Sequence, residues 1–141
     1  MSDKHAIKTE WKGDMAFEAD VNGHKVTMDA NLDGGGHNLG SSPKKLLLVA
    51  LSGCTGMDVV TILKKMRVDI EKFSLEVQGD VADEHPKRYT KMHVIYKFTG
   101  KNLPLDKIEK AIKMSEDTYC GVEALFKMAI AVTSEIKIIE S

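Results

Sequence analysis

The chain has 141 residues, of which 43% are hydrophobic and 29% charged, which predicts one folded domain over residues 1–141 and excludes a disordered chain. Its formal net charge is −1, so nucleic acid is not an expected partner, because phosphate binding usually requires a basic excess. The longest apolar run, residues 46–51, is far shorter than the roughly 20 residues that span a bilayer. The first residues include no apolar segment typical of a secretory signal, and we therefore expect a cytoplasmic protein with no membrane partner.

The first thirty residues have the pattern of β-strands. Residues 17–21 alternate between apolar and acidic side chains, and Asn22-Gly23 follows, a dipeptide that favours the positive φ values of a tight hairpin turn. Residues 5–11 are expected to add a strand before this hairpin. The glycine-rich segment 33–40 lacks the Lys-Ser/Thr of a phosphate-binding loop, and we expect a flexible connection there.

A long helix is predicted over residues 43–67, because a serine followed by a proline is typical of a helix N-terminus. Its segment 46–51 is apolar around the whole helix circumference and is therefore expected to be buried on all sides. A domain of this size rarely buries an entire helix by itself, and Gly53 and Gly56 would allow a second helix to approach closely. We therefore expect a homodimer.

The rest of the chain is predicted to contain two strands, two helices and a last strand. Residues 73–78 and 91–98 alternate between apolar and polar side chains and are predicted to be strands. A helix is expected to begin at Pro104, and another is expected over residues 120–132. The last strand is expected over residues 135–139. The resulting order, β-β-β-α-β-β-α-α-β, mixes hairpins with helices. It predicts an α+β fold with largely antiparallel sheets.

Two cysteines are the side chains best able to carry chemistry. They are not expected to form a permanent disulfide in the cytosol, where thiols are kept reduced, and inert buried thiols are the alternative interpretation. Cys54 lies among small residues of the long helix, which leave space around its sulfur. Cys120 lies at a predicted helix start, where free N–H groups and the helix dipole stabilise thiolate, so position alone makes it the lower-pKa thiol. The histidines lie too far apart in sequence to predict a metal site.

Two motifs around these cysteines resemble those of a known family. Residues 42–54, Ser-Pro-Lys-Lys-Leu-Leu-Leu-Val-Ala-Leu-Ser-Gly-Cys, resemble the S/N-P-x-E-L-x-x-x-A-x-x-x-C signature of the OsmC and organic-hydroperoxide-resistance family. Residues 119–122, Tyr-Cys-Gly-Val, resemble its second motif, C-P/S-V. Residues 58–60 and 28–29 look most like the YhfA-type branch of the family. The resemblance extends over essentially the full chain.

The resemblance implies an OsmC-like fold, with antiparallel sheets wrapped around a long central helix in an intertwined homodimer. It further implies that Cys54 attacks the distal oxygen of an organic hydroperoxide and that the resulting sulfenic acid condenses with Cys120 to a disulfide. A dithiol reductant would restore the pair by exchange. No cofactor is implied.

The sequence departs from the family at the positions that assist the thiol. Characterised peroxidases of the family use an arginine from the early strand-loop region and a glutamate one or two residues after the proline. Here the only arginines are Arg67 and Arg88, and Lys44 and Lys45 occupy the glutamate positions. These lysines are candidate supporting residues, since a cation can lower the pKa of a thiol.

Asp58, one helical turn beyond Cys54, is a third candidate supporting residue, because it could hold a cation or bind a ligand. The departures leave alternative functions open. The chain could be a non-catalytic small-ligand-binding protein, or a thiol-redox-sensing protein, on the same fold.

Overall fold

The computed structural model describes residues 3–141, and within them the strands and helices follow the predicted order in an α+β arrangement. The strands are β1 (Lys8–Gly13), β2 (Ala16–Val21), β3 (His24–Met28), β4 (Lys72–Val81), β5 (Tyr89–Gly100) and β6 (Ala131–Glu140). The α-helices are α1 (Lys45–Lys65), α2 (Leu105–Met114) and α3 (Gly121–Lys127). The described residues fold as two compact units, one that ends at residue 47 and one over residues 48–141.

The first unit contains an antiparallel sheet in the order β1-β2-β3. Asn22 and Gly23, with φ values of 54° and 83°, form the turn between β2 and β3 and confirm the hairpin that this dipeptide predicts. The strand expected over residues 5–11 is β1, which begins later, at Lys8, where its pairing with β2 begins. It also ends later, because this pairing extends to Gly13.

The glycine-rich segment after β3 is organised by the carboxylate of Asp29, which is 4% exposed. Its oxygens accept hydrogen bonds from the backbone N–H groups of Ala30, His37 and Leu39 at 2.8, 3.1 and 3.2 Å. Gly36 lies so close to Ala30 that an added Cβ would overlap the Ala30 carbonyl oxygen. The segment therefore has specific contacts where the sequence predicted only a flexible connection.

Asp29 has a perturbed pKa as a result of this arrangement. Burial raises its pKa, but the three backbone donors outweigh that effect and hold the pKa below the usual range.

Helix α1 ends at Lys65 rather than near residue 67, and it is buried along one face only. The buried residues are Leu51, Thr55, Gly56, Val59, Ile62 and Leu63. Val49, Met57 and Val60 are exposed, and Met57 has 74% of its surface accessible. The expectation of complete burial is therefore wrong for the single chain, because one side of α1 packs on the second sheet while an apolar stripe stays open.

By length and composition, α1 is apolar enough to cross a membrane. It has 21 residues, and one third of its most apolar 18-residue stretch is buried. The core helix of a soluble protein meets the same criterion, so this is weak evidence for a membrane span. The apolar part of this helix is therefore longer than the run of residues 46–51, from which the sequence analysis argued against a membrane span.

The second unit contains the sheet β4-β5-β6, and its two pairings run in opposite senses. β4 and β5 are antiparallel, as predicted, whereas β5 and β6 are parallel, because α2 and α3 lie in the connection between them. β6 begins at Ala131, which pairs with Lys91, so α3 is shorter and the last strand longer than predicted. A local sequence pattern could not reveal this pairing, since the paired residues of β5 and β6 are about forty positions apart.

The core of the second unit lies between this sheet and the buried faces of α1 and α2. Alternate side chains of β5 are buried as predicted: Met92, Val94, Tyr96 and Phe98. On α2, Ile108, Ala111 and Ile112 are buried, and Cys120 belongs to the same cluster.

Candidate functional site

The first cysteine of the site is held by α1. Cys54 and Asp58 are four residues apart on this helix, so their side chains lie on the same face. Cys54 is half-buried and packs against the core of the second unit. Helical periodicity alone therefore brings a thiol and a carboxylate together.

The second cysteine is held by an irregular turn. Residues 115–119 form a π-helical turn after α2, which closes with a hydrogen bond from the Cys120 N–H to the Ser115 carbonyl oxygen at 2.8 Å. Cys120 caps α3, and its sulfur accepts a hydrogen bond from the Glu123 N–H at 3.3 Å. Short π-helical turns are frequent at functional sites, and this one orients a thiol that is 3% exposed.

The fold brings both thiols and the Asp58 carboxylate together. The Cys54 and Cys120 sulfur atoms and a carboxylate oxygen of Asp58 all lie within 4.8 Å of one another. Both cysteines are free thiols, and the nearby Cys54 side chain raises the pKa of Cys120. Ser115 completes the cluster by donating a hydrogen bond from Oγ to Asp58 Oδ2 at 2.9 Å.

The pKa of Cys120 differs from the sequence-based expectation. The pKa of Cys120 is raised to about 12, mainly by burial and in smaller part by the Cys54 side chain and the negative charge of Glu123. The hydrogen bond from the Glu123 N–H offsets only part of this increase. The prediction of a low pKa at this helix start is therefore wrong. The short helix contributes one donor, whereas loss of hydration acts on the whole thiolate.

A buried carboxylate lies close to Cys120 and was not recognised in the sequence. Glu123 is fully buried, and Lys127 Nζ lies 3.0 Å from its Oε2. Burial raises the pKa of Glu123, which Lys127 partly counteracts. The available signal was its position three residues after a helix cap, where acidic residues are common, but such residues are usually exposed.

A cavity of about 550 Å³ opens next to the thiol cluster. Asp58 belongs both to the cluster and to the cavity wall. The remaining lining residues combine apolar side chains with the polar groups of threonine, lysine and tyrosine: Thr61, Ile62, Lys65, Met66, Met114 and Tyr119. A small, partly apolar molecule would fit this space with a polar group directed towards Asp58.

The two candidate supporting lysines belong to the first unit. Lys44 is half-buried just before α1, and Lys45 is the exposed first residue of that helix. Their proposed effect on the thiols stays a prediction.

Comparison with known proteins extends these observations. The family model described as OsmC-like protein matches residues 34–135. YhfA of Escherichia coli K12 is 26% identical over 133 residues, which cover 94% of this chain and 96% of YhfA. A hypothetical protein of Aquifex aeolicus VF5 superposes with a TM-score of 0.86 at 25% identity over 99% of each chain. The organic hydroperoxide resistance protein OhrB of Bacillus subtilis has the same fold, with a TM-score of 0.67 at 13% identity, covering 94% of this chain and 96% of OhrB.

Proposed function

Since the chain belongs to the OsmC-like protein family, as the motifs at residues 42–54 and 119–122 predicted, we propose that it reduces organic hydroperoxides with Cys54 and Cys120. The observation that carries this proposal is the approach of two free sulfurs to within 4.8 Å, although 66 positions separate them in sequence. The naming of OhrB as a hydroperoxide resistance protein supports the choice of substrate.

The proposed cycle has three balanced steps. The Cys54 thiol attacks the distal oxygen of the hydroperoxide, which breaks the O–O bond, oxidises the sulfur to sulfenic acid and releases an alcohol. The Cys120 thiol then displaces the sulfenic hydroxyl, which leaves as water with the Cys120 proton, and a disulfide forms. A dithiol reductant regenerates both thiols by exchange and becomes a disulfide itself.

The exposure of the two sulfurs supports the division of roles. Cys54 is half-buried, whereas Cys120 is nearly inaccessible, so substrate reaches Cys54 more readily. The apolar side of the neighbouring cavity suits an organic substituent on the peroxide better than hydrogen peroxide.

The proposal includes a cytoplasmic homodimer. The exposed stripe formed by Val49, Met57 and Val60 on α1 is unusual for a soluble monomer and would be covered by a second copy. We expect light scattering to show a dimer at micromolar concentration. A stable monomer would contradict this part of the proposal.

The absence of an arginine before residue 67 favours a second candidate function. Without the family's activating arginine and glutamate, the cavity beside Asp58 could serve to bind a small molecule, or the thiol pair could act as a redox sensor. The ligand-binding function predicts slow reaction of the thiols with hydroperoxide, whereas a redox sensor must still be oxidised.

Trapping of sulfenic acid separates thiol chemistry from ligand binding. Reduced Cys120→Ser is treated with cumene hydroperoxide in the presence of dimedone, and the adduct is located by mass spectrometry. We expect an adduct on Cys54, faster with cumene hydroperoxide than with hydrogen peroxide. In Cys54→Ser we expect little adduct at Cys120.

Two other results would change the conclusion. Rapid adduct formation at Cys120 in Cys54→Ser would reverse the roles. No adduct in either variant would favour the ligand-binding function. Asp106→Asn, which alters an exposed acid on α2, is the matched control and should react like the unchanged protein.

A further inference from the structure

We propose that the reduced thiol pair and Asp58 form a binding site for a thiophilic divalent cation such as Zn²⁺. The proposal starts from the convergence of two sulfurs and a carboxylate oxygen within 4.8 Å. It does not depend on peroxide chemistry, because it requires only that both cysteines are free thiols.

The spacing of the three atoms is close to that of a zinc site. Tetrahedral Zn²⁺ has Zn–S distances of about 2.3 Å and Zn–O distances of about 2.0–2.2 Å, which place neighbouring ligand atoms roughly 3.5–3.8 Å apart. The upper limit of 4.8 Å observed here exceeds that separation by about 1 Å, which small side-chain rotations can close. Thiolates select Zn²⁺ over Mg²⁺ and Ca²⁺, which prefer oxygen ligands.

Two of the three ligands lie on a regular helix, and the third follows a hydrogen-bonded turn. Cys54 and Asp58 lie one turn apart on α1, and Cys120 follows the π-helical turn. The hydrogen bond from Ser115 Oγ to Asp58 Oδ2 orients the carboxylate. Such second-layer hydrogen bonds accompany metal ligands and fix their orientation.

The fourth coordination position has access from the cavity. Asp58 is shared between the thiol cluster and the cavity wall, so a water or a small anionic group could complete a tetrahedron from that side. Three protein ligands with one open position are typical of sites that exchange a ligand rather than of purely structural zinc sites.

Metal binding and disulfide formation exclude each other, because both use the sulfurs of Cys54 and Cys120. Zn²⁺ would therefore protect the thiols from oxidation, and oxidation of the pair would release Zn²⁺. The site would link the redox state of the thiols to the availability of the metal.

The test uses the full chain, reduced with a reagent that does not itself contain a thiol. Equilibrium dialysis against Zn²⁺ should give one bound ion per chain. Cys54→Ser and Cys120→Ser should each weaken binding by at least about tenfold, because even the loss of an outer-shell partner of a metal ligand typically costs that much. Asp58→Asn should weaken it similarly, and asparagine retains an oxygen that can accept the Ser115 hydrogen bond.

Two controls separate this site from adventitious binding elsewhere on the surface. Asp106→Asn should bind Zn²⁺ like the unchanged protein, since Asp106 is exposed and distant in sequence. Co²⁺ should replace Zn²⁺ and produce thiolate-to-cobalt charge-transfer absorption, which the cysteine variants lose. Circular dichroism confirms that each variant is folded.

The proposal is overturned if the three variants bind Zn²⁺ as tightly as the unchanged protein, or if Co²⁺ binds without a thiolate band. Both results would mean adventitious surface binding. These outcomes are independent of the dimedone experiment: a chain that binds Zn²⁺ through its thiols but forms no sulfenic acid would contradict only the peroxidase function.

Discussion

The two sheets of the molecule differ in how far apart their paired strands lie in sequence. In β1-β2-β3, both pairings are antiparallel and join consecutive strands through short turns. In β4-β5-β6, the parallel pairing of β5 with β6 bypasses two helices and the π-helical turn. The first sheet is therefore specified by local contacts, whereas the second requires the chain to return over a long distance.

The sheets also differ in the size of the side chains that they bury. β5 buries five apolar side chains larger than alanine in a continuous core, whereas the buried side chains of β2 are the small Ala16 and Ala19. Both thiols lie in the unit that contains the larger core. We infer that reactive side chains from distant parts of the sequence are held at fixed separation because they border a densely packed core, which allows little displacement.

The largest effect on stability is expected when the core of the second sheet is emptied. Phe98 is fully buried and stacks on Phe73 with ring centroids 4.3 Å apart. Phe98→Ala should reduce the free energy of unfolding by about 3–5 kcal/mol, because it removes buried apolar surface and leaves a cavity. Urea unfolding measures the change, with the exposed neighbour Lys97→Ala as the control. A loss no greater than that of the control would contradict the assignment of the core.

A smaller effect is expected at the buried carboxylate beside Cys120. Lys127→Ala removes the ammonium group 3.0 Å from Glu123 Oε2 and leaves that carboxylate buried without its cation. We expect a loss of about 1–2 kcal/mol in urea unfolding, since a buried polar group would lose its partner. Lys113→Ala is the control, because its ion pair with Asp117 is exposed and should contribute little. Equal losses in both variants would show that burial of Glu123 is unimportant.

In the first sheet, the expected effects depend on backbone geometry rather than burial. Gly23 has a φ of 83°, and no atom lies within 4 Å of an added Cβ. Gly23→Ala should cost about 1 kcal/mol, from left-handed backbone strain alone. At Gly121 an added Cβ also meets no neighbour, and φ is not positive. Gly121→Ala should therefore not destabilise the protein. Similar thermal shifts in the two variants would contradict the strain argument.

The smallest effect on stability is expected from Asp29→Asn, because asparagine keeps one oxygen that accepts backbone hydrogen bonds. This effect should depend on pH. The pKa of Asp29 in the folded protein lies below its ordinary value of 3.8, so ionised Asp29 favours the folded state. This contribution is fully present above the ordinary pKa and is lost as the pH falls through the lowered one. The melting temperatures of the two proteins should therefore differ at neutral pH and converge in acid. A difference that persists in acid would contradict the prediction.

The same contrast between local and distant contacts explains which sequence-based predictions succeeded. The Asn22-Gly23 turn and the alternation along β5 depend on neighbouring residues, and both were predicted. The last strand was placed too late and α3 was made too long, because Ala131 enters a strand through pairing with Lys91. The pairing supplies hydrogen bonds that no local propensity encodes.

For the candidate site, the family motifs pointed to Cys54 and Cys120, and helical spacing placed Asp58 on the same face as Cys54. Ser115 and Glu123 were not predicted as members of the site. Their roles arise from the π-helical turn and from burial, neither of which has a distinctive pattern in the sequence.

The sequence by itself determined the order of strands and helices, the hairpin turn and the family to which the two cysteine motifs belong. These features depend on periodicity, turn chemistry and short motifs, all of which act over a few residues. Only the tertiary structure decided that β6 runs parallel to β5, that two thiols and a carboxylate meet within 4.8 Å, and that the pKa of Cys120 is raised to about 12. Distances between remote residues and the loss of hydration on burial are properties of the packed chain, and no local segment contains them.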